Sequence, residues 1–325
     1  MIKKLRKKFL RSFRKLLGTE QISQQQYRQE QLQHQQEELR QQLQLLQLQL
    51  LLSLGNSLKY SSVDQKKIKE SITYKRCAEL VSLFAPMNIE GAKYVRVGGN
   101  HDGGYVMLDG FRDGLVEAAY SFGIGDNVSW DEAIACRGIN VFMYDHTIQR
   151  LPKNHPNFHY FKTGITGYEK GVGLKTLSEL VANNNHTACK NLILKMDIEG
   201  YEWDVFREIP SSVISQFSQF VVEFHDLRSA IYGSGYDMVA EVLKKINQTH
   251  QSVHVHANSF SAPLWIGEFV LPTVIEVTFV RRADFKDKFI ANTRQFPTEI
   301  DQSSCADLFD IYLNGFYDCS RTAEK

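Results

Sequence analysis

Leu192-Ile193-Leu194-Lys195-Met196-Asp197-Ile198-Glu199-Gly200 is the stretch on which the reading of this chain turns. An apolar run of strand type ends abruptly in two carboxylates and a glycine, and Tyr201-Glu202-Trp203 opens a helix-like segment. A central strand of an open α/β sheet reads as a continuous apolar run because both its faces are covered, and ligands bind beyond the carboxyl ends of such strands. Asp197 and Glu199 are two residues apart, so continued strand geometry would turn both to one side. Carboxylates crowded at a strand tip repel unless a cation, a hydroxyl proton or water holds them. The bland alternative is a buried polar network without a ligand.

A second strand end lies upstream. Ala118-Ala119-Tyr120-Ser121-Phe122 is apolar and runs into Gly123-Ile124-Gly125-Asp126-Asn127. Ser129 to Cys136 follows as a helix, with Ser129 expected as its N-cap and Glu132 completing a capping box. The next strand, Gly138 to Tyr144, ends at Asp145, which is 22 residues after Gly123. That spacing suits a carboxylate accepting the hydroxyl hydrogens of a ribose. A dinucleotide site asks for a third glycine, yet Val128 stands at that position, and Asp126 would oppose a pyrophosphate. S-adenosylmethionine carries no phosphate, and its ammonium and sulfonium charges tolerate an acidic loop. The residues therefore favour a methyl donor over a nicotinamide cofactor.

Ser121-Phe122-Gly123-Ile124-Gly125-Asp126, then Tyr144-Asp145, then Leu194-Lys195-Met196-Asp197-Ile198-Glu199-Gly200-Tyr201-Glu202-Trp203 together resemble the motifs of FkbM-type, S-adenosylmethionine-dependent methyltransferases. The phrase Asn100-His101-Asp102-Gly103-Gly104-Tyr105 is similar to the branch that contains certain methyltransferase-like proteins. The resemblance covers roughly residues 90–285, and the D-x-E-G-x-E-W phrase is its most specific part. It implies an α/β fold of class I methyltransferase (Rossmann-like) type, a seven-stranded sheet with helices on both faces, and O-methylation of a sugar or related small-molecule hydroxyl.

On that frame Gly123, Gly125 and Asp126 line the cofactor, Asp145 grips its ribose, His146 lies alongside, and Asp197 sits nearest the sulfonium. Methyl transfer to oxygen needs an aligned nucleophile and a group that takes its proton. His225, ending the strand Phe217 to Phe224, is the favoured base because imidazole titrates near neutrality, with Glu199 as its rival. Asp197, Glu199 and His225 could instead hold a divalent metal. Arg96 is the nearest cation for the methionine carboxylate, and His254, His256 and Asn258 are candidates for the acceptor pocket or for one exposed strand face.

The remaining elements fall into place around these motifs. Phe158–Lys162 reads as a third strand, 174–181 as a helix, 237–246 as an amphipathic helix, and 252–256 with 274–280 as a closing strand pair. The long connection within that pair, with Pro263, Trp265 and Pro272, is expected as a substrate lid. The 325 residues divide into a basic segment (1–19), a Gln/Leu-rich stretch (20–55), a helical linker (56–90), the catalytic domain (91–285) and a C-terminal extension (286–325).

Net charge of +1 excludes a general polyanion binder, and the absence of an aromatic platform beside the basic residues argues against nucleic acid. Residues 1–17 interleave eight Lys/Arg with apolar residues, as in a helix lying on an anionic membrane or a solvated basic tail. Leu32, Leu39 and Leu46, with Leu43 and Leu50, mark an imperfect heptad seam, so this N-terminal extension is expected to form a coiled coil and a homo-oligomer. No run reaches the roughly 20 apolar residues that span a bilayer. Five scattered cysteines point to reduced thiols and a cytoplasmic address, peripheral to the inner face of a membrane if the basic helix binds it. Two other classes stay open: a nicotinamide-dependent oxidoreductase, and a non-catalytic coiled-coil protein that keeps the fold.

Overall fold

Seven strands form one sheet, and the central ones are buried apolar runs. In chain order they are β1 (Ala118–Phe122), β2 (Val141–Tyr144), β3 (Phe158–Phe161), β4 (Leu192–Met196), β5 (Phe217–Phe224), β6 (His250–Ala257) and β7 (Ile275–Arg281). Their spatial order is β3-β2-β1-β4-β5-β7-β6. Neighbours from β3 to β5 run parallel, and β7 is antiparallel to both β5 and β6. The computed structural model describes residues 62–111, 115–168 and 171–316. The basic segment and the expected coiled coil lie outside the described residues.

Register places like beside like. Phe122, Tyr144 and Phe161 are cross-strand partners, and their rings stack at 5.2 and 5.0 Å. Such aromatic pairs stabilise a sheet beyond the area they bury. Asn184 covers this face, its side-chain amide donating to the hydroxyls of Tyr120 and Tyr144. A hairpin, Tyr94–Val97 with Tyr105–Leu108, shares a core with Trp130, Ile134 and Val141. The helix Ile72–Phe84, expected within a linker, buries Cys77, Leu80, Val81 and Phe84, with Phe84 packed on Phe224.

Several local expectations change. Val128, not Ser129, is the N-cap of the helix Ser129–Ala135, and the capping box does not form. Asn127 Oδ1 already accepts the Ser129 N–H, while Ser129 Oγ donates to the Gly103 carbonyl and Glu132 pairs with Lys153. The helix expected over 174–181 begins at Leu177, because Thr176 and Glu179 make the capping box there. The connection between β6 and β7 folds into a hairpin, Leu264–Ile266 with Phe269–Leu271, that docks on helix Ile72–Phe84 through a Tyr74–Phe269 ring contact and a Tyr74–Glu268 hydrogen bond. It contributes nothing to the cleft described below, so it is no lid. His254 and His256 do not mark an exposed face: both are buried, paired with Asp301 and with Glu276 and Asp310.

Candidate active site

Strand order reverses between β1 and β4, and a cleft of about 480 Å³ opens there beyond their carboxyl ends. Reversal points of open α/β sheets are where ligands bind, because the flanking connections diverge to opposite faces. Gly123, Gly125, Asp126, Asp145, His146, Asp197 and Glu199, all expected from the motifs, line it.

Gly123 has φ +72°, and a Cβ there would lie 1.5 Å from the Asp197 carbonyl oxygen. Only glycine lets the loop cross so close to the tip of β4. Gly125 also has a positive φ, +55°, but a Cβ there would meet nothing, so this glycine faces open space. Asp145 fixes the loop: one oxygen accepts the N–H groups of Ile124 and Gly125, both at 2.9 Å, and the other accepts from the Thr147 N–H and hydroxyl. Burial alone would raise this carboxyl, but those four bonds outweigh it and hold the group at about 2.

The cleft is acidic. Asp102, Asp126, Asp131, Asp145, Asp197 and Glu199 line it against the single lysine, Lys195. Lys195 is itself buried, donating to the carbonyls of Phe122 and Gly123 and lying 3.8 Å from Asp197 Oδ2. Its charge is spent on the backbone at the carboxyl end of β1. Arg96, expected near a ligand carboxylate, braces its own loop by donating to the carbonyls of Gly99 and His101.

At the other end of the motif the chain brings His225 to Asp197 and Glu199. Nε2 lies 3.5 Å from Glu199 Oε2, 3.7 Å from Glu223 Oε1 and 3.9 Å from Asp197 Oδ1. Nδ1 is 3.1 Å from Glu202 Oε1. Burial pulls the imidazole pKa down, but the Glu202 hydrogen bond and the charges of Glu202, Asp197 and Glu199 prevail, so it stands above its ordinary value. Glu199 adopts φ +58° and its side chain is 86 % exposed, because the strand has already ended at Met196. The metal-like trio is consequently Asp197, Glu223 and His225, with Glu223 in the place expected of Glu199.

Four residues here escaped sequence reasoning: Glu202, Glu223, Lys195 and Tyr105. Lys195 did leave a signal, as a lone cation in an apolar strand, and Glu202 lies inside the most specific motif. Tyr105 closes the Asn100–Tyr105 phrase and Glu223 is a lone acid in an apolar strand, but what each approaches depends on strand neighbours distant in sequence.

No curated protein matches this chain significantly. Among solved structures it is similar, at 9% identity and a TM-score of 0.30, to one described as "Putative hemolysin from Streptococcus thermophilus", over 51% of this chain and 60% of that one. Residues 102–251 match the family model of the methyltransferase FkbM domain, which is the region that holds the cleft and the D-x-E-G-x-E-W phrase.

Proposed function

We propose that the cleft binds S-adenosylmethionine and that the chain transfers its methyl group to a hydroxyl of a glycan or related small molecule. One observation carries this reading: the cleft at the β1–β4 reversal is lined by six carboxyl side chains and one already engaged lysine. A pyrophosphate would be repelled there, whereas a sulfonium and an ammonium are attracted. The FkbM family match adds weight, and the nicotinamide reading has no comparable support.

The groups present fit such a cofactor. Gly125 leaves open space at the loop, Asp145 is held ionised beside it, and Asp197 stands at the tip of β4. Bound there, the cofactor would supply an electrophilic methyl carbon. Transfer of that methyl to an acceptor oxygen would leave the sulfur neutral and would release the acceptor's proton. The acceptor's proton leaves to the His225–Glu199 pair, which lies beside Asp197.

Calorimetry with S-adenosylhomocysteine and with NAD tests the proposal. Binding of the first and not the second is expected, followed by transfer of labelled methyl to a hydroxylated acceptor. Binding of NAD alone would overturn it.

A further inference from the structure

We infer that Asp197, Glu223 and His225 bind a divalent cation of the Mn²⁺ type beside the cofactor cleft. This rests on the methyl-transfer reading only for what the cation does, not for whether it binds. Each residue offers a ligand atom, and these atoms lie within 4.8 Å of one another. Sheet register brings them together. Val222 of β5 pairs with Met196, the last residue of β4, so Asp197 just past β4 comes beside Glu223, the penultimate residue of β5, and His225, which follows the end of β5. The Nε2 atom of His225 is 3.7 Å from Glu223 Oε1 and 3.9 Å from Asp197 Oδ1. Ligands that share one ion at roughly 2.0–2.2 Å stand about 3–4 Å apart.

Acidic clusters are common without metals, and a second feature separates this one. The Glu223 side chain is only 4 % exposed; Oε1 accepts from the Asn258 amide at 2.7 Å, but Oε2 has no partner. The Tyr105 hydroxyl, on a side chain 1 % exposed that lines the cleft, also has none. Buried oxygens left unsatisfied are costly, and an ion is one of the few things that satisfies a carboxylate oxygen there. The histidine is also oriented for the task. Its Nδ1 is tied to the buried Glu202 carboxylate, which presents Nε2 toward the two acids, as in carboxylate–imidazole–metal arrangements.

Two carboxylates and one imidazole suit Mn²⁺ better than the all-oxygen preference of Mg²⁺ or Ca²⁺. The remaining coordination positions would take water or the acceptor's hydroxyl groups. With Nε2 committed to the ion, the acceptor's proton passes to Glu199, whose Oε2 is 3.5 Å from that nitrogen and open to solvent.

The full-length protein, stripped with EDTA, should take up about one Mn²⁺ per chain when titrated with MnCl₂. Loss of the free-ion electron paramagnetic resonance signal reports uptake, and calorimetry gives the affinity. Glu223→Gln, nearly isosteric, should weaken uptake at least about tenfold, as should His225→Gln, with melting curves confirming that each variant folds. No uptake by the wild-type protein at about millimolar Mn²⁺, or wild-type uptake by both folded variants, overturns the inference. Parallel titration with S-adenosylhomocysteine separates the two readings: if it binds while Mn²⁺ does not, only the metal site falls, and the reverse result leaves the metal site and removes the cofactor.

Discussion

The Nδ1 atom of His225 lies 3.1 Å from Oε1 of Glu202, a residue with no exposed surface. The same carboxylate accepts the N–H groups of Ile198 and Gly200, so one acid braces both the turn after β4 and the imidazole beside it. Trp203, its neighbour on the helix Glu202–Glu208, donates to the His225 carbonyl and holds the backbone of that histidine as well. Glu202→Gln would turn an amide N–H₂ toward at least one of these donors. Turnover should fall about ten- to a hundredfold, with affinity for S-adenosylhomocysteine within a few-fold of wild type. Unaltered kcat in a folded variant would remove Glu202 from a positioning role.

The two loop glycines should respond differently to the same substitution. Gly123→Ala sets a methyl group against the Asp197 backbone at a positive φ, so stability should drop by several kcal/mol, on the order of an overpacked and strained site. Gly125→Ala meets open space, costs about 1 kcal/mol for its φ, and places its methyl group beside the cleft. The second variant should therefore melt nearly as wild type yet bind S-adenosylhomocysteine more weakly. Equal loss of stability in both would contradict this division.

Asp145→Ala removes the acceptor for four donors of the glycine loop and the following turn. Affinity for S-adenosylhomocysteine should fall at least about tenfold, equivalent to losing charge-assisted hydrogen bonds of about 1.5–3 kcal/mol. Wild-type affinity in calorimetry, with the fold intact, would mean that the cofactor does not lie against this loop.

His250 provides a pH test away from the cleft. It is fully buried at the start of β6, with Nε2 donating to the Phe217 carbonyl, and burial pushes it down to about 4 from the usual 6.5. Above pH 6.5 the imidazole is neutral whether the chain is folded or not, and it contributes nothing to pH dependence. As pH falls from 6.5 toward 4, the unfolded chain binds a proton that the fold excludes, so stability is lost. Between pH 7.5 and pH 5 that loss is about 2 kcal/mol. Urea unfolding of His250→Gln at both pH values should show a smaller drop than wild type by about this amount. Parallel slopes would assign the acid sensitivity elsewhere.

Residues 1–55 are expected to assemble and localise the chain without taking part in chemistry. A truncation that starts near residue 56 should scatter light as a smaller species and should no longer sediment with anionic vesicles. Linked basic segments gain by avidity, roughly a hundredfold or more, and the truncation removes both the link and the charge. Turnover on a soluble acceptor should stay within a few-fold. An unchanged oligomeric mass would refute the coiled coil, and continued sedimentation would move the membrane contact into the catalytic domain. Among the described residues no helix is long and apolar enough to cross a membrane.

Much of this protein was legible before its structure. Apolar runs that stop at Phe122, Tyr144 and Met196 and give way to glycine or acid specified three strand ends of a sheet, because the pattern itself records where burial gives way to a ligand-facing edge. Part of the cleft lining at the β1–β4 reversal, Gly123, Gly125, Asp126, Asp145, His146, Asp197 and Glu199, was therefore legible in the local sequence. What tertiary structure decided is what long-range neighbours control. Glu223 became part of the His225 cluster because β5 lies beside β4, and it lost access to water because β7 pairs with it on the other side. His254 and His256 became ion-paired core residues because the segment from Asp301 to Asp310 returns over β6. Ser129 does not cap its helix, and its hydroxyl is drawn instead to the Gly103 carbonyl, 26 residues away in sequence. Periodicity reports which residues are buried, but a side chain's partner depends on which strand or loop closes against it, and that is set only when the chain has folded.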